Sequence, residues 1–168
     1  MKAAISAGIF AIFCSSLLFA AAPAQTANEL SIERLATCQD SWLDWKDDQA
    51  RSAKFAESLR AGYAQKQNTD YLVPKTAKKL FGMPVEGIYP DTAGMAVGFS
   101  VVVSSGFEAT KKAVEKALGK PLKCDPNTDE MRTCQFERGP KKTVFVMAAG
   151  DKAEAKSALV GCFYFYEK

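Results

Sequence analysis

Arg132-Thr-Cys-Gln-Phe-Glu137, Thr143-Val-Phe-Val-Met-Ala148 and Ala158-Leu-Val-Gly-Cys-Phe-Tyr-Phe-Tyr166 decide the fold, because three β-branched and aromatic runs follow one another with only connecting chemistry between them. Arg138-Gly139-Pro140-Lys141 forms the first turn, and Gly150 to Ser157 links the second pair. Strands joined by such short connections pair antiparallel. In the last run Phe163 and Phe165 face one side while Cys162, Tyr164 and Tyr166 face the other, so both faces need cover or offer tyrosines for recognition.

Upstream, Ala96 to Ser104 reads as a fourth strand with Val97, Phe99, Val101 and Val103 on one face. A helix follows over Phe107 to Leu118, with Phe107, Val114 and Leu118 at helical spacing; Gly119 stops it and Pro121 prevents its continuation. From Asn28 to Gln65 the positions Leu35, Cys38, Trp42, Trp45, Phe55, Leu59 and Tyr63 recur in three- and four-residue steps, which predicts a long amphipathic helix. Lys46 to Ser52 shifts the apolar stripe, so the helix is in one segment or two. Between Asn68 and Thr92, Pro74, Gly82, Pro84, Gly87 and Pro90 predict a long connection around a short helix at Thr76 to Phe81. The expected fold is therefore α+β: a long N-terminal helix, in one or two segments, and a second helix packed on a mainly antiparallel four-stranded sheet.

Residues 1–24 carry Lys2, an apolar run from Ile5 to Phe19, and Ala22-Pro23-Ala24, the pattern of a secretory signal peptide cleaved near Ala24. The run is shorter than the ~20 residues a spanning helix needs, and no later stretch matches it, so no transmembrane segment is expected in the mature chain. Ile12 and Phe13 precede Cys14, which departs from the Leu-small-small-Cys pattern of lipoprotein cleavage sites. Residues 25–168 are expected to form one domain, periplasmic or secreted. With 22 basic and 19 acidic side chains overall, and Lys2 in the leader, the mature chain has a net charge of only +2. Its lysine pairs at 78/79, 111/112 and 141/142 are scattered, which argues against nucleic acid as a partner.

Cys38, Cys124, Cys134 and Cys162 remain after cleavage, an even number that reads as two disulfides in an oxidising compartment. The short polar loop between Cys124 and Cys134 favours joining those two, and Cys38 with Cys162; Cys134 with Cys162 stays open. The chain has no histidine, so Ser-His-Asp and Cys-His machinery is absent, as is the usual zinc ligand. Ser-x-x-Lys and Gly-x-Ser-x-Gly are missing too. Asp125-Pro-Asn-Thr-Asp-Glu130 opens like a calcium loop but has Glu130 at the glycine position and Phe136 where a bidentate Glu belongs. No catalytic residue, metal or cofactor is expected.

What remains is recognition. Trp42, Asp44, Trp45 and Asp48 on the first helix, Phe81 and Tyr89 in the proline-glycine stretch, and Tyr164 and Tyr166 on the last strand are the candidate contact residues for a partner or ligand. The leading expectation is an exported protein-binding module, of the inhibitor, immunity or envelope-accessory kind, whose partner is another envelope or secreted protein. Two alternatives stand beside it. One is a carbohydrate-binding or carboxylate-dependent hydrolytic protein built on Trp42, Asp44, Trp45 and Asp48; the other is a carrier holding an apolar ligand between sheet and helix. Val114, Leu118-Gly119-Lys120-Pro121-Leu122 and Asp125-Pro126 together resemble the helix-to-strand joint of the small outer-membrane-assembly lipoproteins and the β-lactamase-inhibitor-protein fold. The likeness spans about a dozen positions, on a helix stop that is common elsewhere, and assigns no family. It implies an envelope protein that works by binding another protein.

Overall fold

The computed structural model describes residues 31–40, 49–90, 97–125, 132–149 and 156–164. Among these the chain is mostly sheet. Three short helices, α1 (Ile32–Ala36), α2 (Gln49–Gly62) and α3 (Phe107–Leu118), accompany nine strands. The strands are β1 (Tyr63–Gln65), β2 (Leu72–Pro74), β3 (Lys79–Leu80), β4 (Met83–Tyr89), β5 (Val97–Val103), β6 (Lys123–Cys124), β7 (Thr133–Gly139), β8 (Lys142–Ala148) and β9 (Ala158–Tyr164). They form one antiparallel sheet in the order β1-β2-β4-β5-β9-β8-β7-β6, with β3 paired to β4 outside that path. This corrects the expected long N-terminal helix on a four-stranded sheet.

Two local causes account for the difference. The helical pattern running through Leu35 and Cys38 ends at Ala36, because Cys38 adopts a left-handed φ of 57°. Its N–H donates to the Leu35 carbonyl at 3.2 Å and the Gln39 N–H to the Arg34 carbonyl at 2.8 Å, the two bonds of a Schellman stop. A bidentate contact from Arg34 to Asp40 braces the exit. In the proline-glycine stretch, the predicted helix at Thr76 to Phe81 is instead a tight hairpin: Lys79 and Leu80 pair with Pro84 and Met83 across Phe81-Gly82. Both loop residues have positive φ, 49° and 83°, the mirror-image turn that suits strand twist.

Cross-strand register assigns the two faces. Val101 lies opposite Val160, and Val160 opposite Val146, so these side chains share one face with Phe99, Val103, Val144 and Cys162. All are buried, and Leu35, Phe55, Leu59, Phe107 and Val114 from the three helices complete a single core with them. α1 lies against β5 and β9, and α3 against β8 and β9. Disulfides join Cys38 to Cys162, tying α1 to the central strand β9, and Cys124 to Cys134 at the sheet edge. Two such bonds fit an oxidising, exported environment. No described helix is long and apolar enough to cross a membrane. The leader reading falls on residues 1–24, outside the described ones.

Candidate functional site on the aromatic face of the sheet

The other face carries Tyr89 of β4, Gly98, Ser100 and Val102 of β5, Leu159, Gly161 and Phe163 of β9, and Phe145 and Met147 of β8. None of these residues belongs to the core that the helices cover. Their cover is aromatic. A Cβ on Gly87 would sit 2.3 Å from the Tyr71 ring, and one on Gly161 would sit 2.7 Å from the Phe145 ring, so each ring rests on bare backbone. Phe163 stacks on Phe145 with centroids 3.9 Å apart and planes 9° from parallel. Glycine weakens a strand by itself, and a ring laid across it restores the missing packing.

Tyr71 is held by the turn that precedes it. Lys66 N–H donates to the Tyr71 carbonyl at 2.9 Å, Asn68 supplies a left-handed φ of 60°, and the Thr69 hydroxyl donates to the Lys66 carbonyl at 3.0 Å. Tyr71 and Tyr89 meet with centroids 4.9 Å apart, tilted by 48°. With Lys66, Thr69, Val102, Ala149 and Leu159 they line an open hollow of about 470 Å³. Burial, then the Glu86 carboxylate and Tyr89, push the Tyr71 phenol up, so it stays a neutral hydrogen-bond donor at physiological pH. Glu86 is itself engaged, accepting from the Ser104 and Ser157 hydroxyls at 2.8 Å each. Both tyrosines and Leu159 are half-buried, an apolar floor with phenol, hydroxyl and ammonium groups at its rim. That arrangement suits binding.

A second hollow, of about 630 Å³, lies at the opposite edge of the sheet between the chain entering β6 and strand β7. Lys120, Pro121, Lys123, Cys124 and Phe136 are among its walls.

The three described candidate contact residues do not gather in one place. Trp42, Asp44, Trp45, Asp48 and Tyr166 lie outside the described residues. Phe81 sits at the β3–β4 turn, half-buried and packed on the core, at the far end of β4 from Tyr89. Tyr164 is interior at 2% exposure, and its hydroxyl donates to the Asp40 carbonyl at 3.0 Å, a tie between β9 and the exit of α1. Of the three described candidates, Tyr89 alone lines the aromatic hollow. Tyr71, Val102 and Leu159 are not among the sequence candidates; the one cue the sequence offers is Tyr71 two positions after Thr69, at the end of the polar turn Asn68-Thr69-Asp70. Comparison with protein families, curated proteins and solved structures finds no match for this chain.

Proposed function

We propose that this chain is an exported, disulfide-stabilised binding module that engages another envelope or secreted protein through the aromatic face of its sheet, with Tyr71 and Tyr89 as anchors. The observation that carries this reading is the half-buried pair Tyr71 and Tyr89, the first ring laid over the bare backbone of Gly87 and the second against the first, around an apolar floor. Tyrosines held this way bring large contact area at small entropic cost, since few rotamers remain to be frozen. The leader sequence and the two disulfides support delivery to an oxidising compartment.

Immobilising the oxidised protein and identifying by mass spectrometry what it retains from an envelope extract tests the proposal, with Tyr89→Ala as the matched control. One specific protein, bound at least about 30-fold more weakly by the variant while its circular dichroism is unchanged, is the expected result. Equal capture by both forms removes the tyrosine face from the reading. Retention of glycans or of nothing removes the protein partner.

A further inference from the structure

We infer that the Cys124–Cys134 disulfide is a site of thiol–disulfide exchange, attacked at the Cys124 sulfur by a dithiol reductant, while Cys38–Cys162 is inert in the folded protein. Exchange requires a thiolate to reach one sulfur of the bond. Cys38 and Cys162 are 4% and 0% exposed, inside the core beneath α1, and Cys134 is 0% exposed. Cys124 differs on both counts: it is exposed, and it forms a wall of the 630 Å³ hollow beside β7. Lys120, Lys123, Asp125 and Glu137 stand on the same walls, two charges of each sign, so access rather than net field selects this bond.

The reaction balances within the protein and the dithiol. The incoming thiolate bonds to Cys124 Sγ and expels Cys134 as thiolate, which takes up a proton. The second thiol of the reagent then attacks the reagent's own sulfur, releasing Cys124 and leaving the reagent as a disulfide that has given up two electrons. Cys134 faces apolar core, where a neutral thiol packs as a small hydrophobe. The structural consequence is local. β6 has two residues, both paired only with β7 among the described residues, whereas β7 keeps its ladder to β8 from Thr133 to Gly139. Opening the bond therefore removes the covalent tie of β6 to β7, leaving the two-residue ladder and the Asp125 N–H to Thr133 carbonyl bond at 3.1 Å to hold the edge around Cys134 and Gln135, where another strand can add once β6 moves aside.

The test treats the folded, oxidised protein with dithiothreitol without denaturant, quenches with iodoacetamide at intervals and maps the labelled peptides. Labelling of Cys124 and Cys134 at least about tenfold faster than Cys38 and Cys162, with far-UV circular dichroism retained, is the expected result. All four cysteines labelled in one step, Cys38 and Cys162 labelled first, or no labelling before denaturant is added overturns it. The double variant Cys124→Ser with Cys134→Ser separates access from folding. It should stay folded with Cys38–Cys162 as resistant as before, and loss of that bond at the rate seen for Cys124 in the parent chain refutes the assignment.

Discussion

Replacing Cys38 and Cys162 together by alanine removes the bond between α1 and β9, which spans a sequence separation of 124 residues. In the chain-entropy account the unfolded chain then regains freedom worth about 4.9 kcal/mol, against about 2.7 kcal/mol for the pair Cys124 and Cys134, separated by 10 residues. The first loss is comparable with the whole stability of a small domain, about 5–15 kcal/mol, so the long-bridge variant should be partly unfolded at physiological temperature. A companion variant keeps the experiment readable. Because Cys38 has a left-handed φ of 57°, glycine there relieves conformational cost, and Cys38→Gly with Cys162→Ala should be more stable than the alanine pair by roughly 1 kcal/mol. Urea unfolding followed by tryptophan fluorescence and circular dichroism measures all three. A short-bridge variant as damaged as the long-bridge one, or no advantage from glycine, would refute the reasoning from loop length and backbone conformation.

Gly161→Ala should destabilise by about 3 kcal/mol, because its Cβ would lie 2.5 Å from the Phe99 carbonyl and 2.7 Å from the Phe145 ring in the middle of the sheet; thermal unfolding near the parent temperature would contradict this. Burial pushes the Tyr63 phenol up to about 12 from 10.0. The unfolded chain then loses this proton first, so the Tyr63 contribution to stability is level below pH 10 and falls between pH 10 and about 12, and Tyr63→Phe should flatten that fall in urea titrations against pH. The Ser100 hydroxyl is fully buried with no hydrogen-bond partner among the described residues, so Ser100→Ala should stabilise by up to about 1 kcal/mol, and a loss of that size in the same assay would show that the hydroxyl is satisfied in solution.

The legible part of the fold lies where periodicity runs long enough to be read. β5, β7, β8 and β9 are seven residues each, and the alternation of Val97, Phe99, Val101 and Val103 is visible without a structure. β1, β2 and β3 have three, three and two residues, too few for alternation to show. Pro74 and Pro84 read as breakers, yet each occupies a terminal or near-terminal strand position where a missing N–H is tolerated. Phe81-Gly82 lacks the asparagine that usually marks a mirror-image turn, and Cys38 replaces the glycine that usually marks a Schellman stop. The candidate site was hidden for a related reason. Tyr89 sits on β4 and Tyr71 immediately before β2, in a stretch the sequence disguises as a loop, and what makes them a pair is the register that sets Leu72 opposite Ile88.

The division of labour between the faces follows from where the glycines stand. Gly87, Gly98 and Gly161 leave bare backbone on the face that carries the rings, and a Cβ at any of them would collide with a neighbouring ring or carbonyl. A helix needs a raised apolar stripe to pack against, which valines at 101, 103, 144, 146 and 160 supply on the opposite side. Flat rings need the reverse, a depression, and glycine provides one. A sheet with its valines under helices and its glycines under rings has one ring-paved face, built on the same ladders that hold the core. Rings that merely shielded backbone would need no hydroxyl, as Phe145 and Phe163 show on the same face. Tyr71 and Tyr89 bring phenols to the rim of a hollow instead, and that difference in ring chemistry within one surface is the strongest reason to place recognition there.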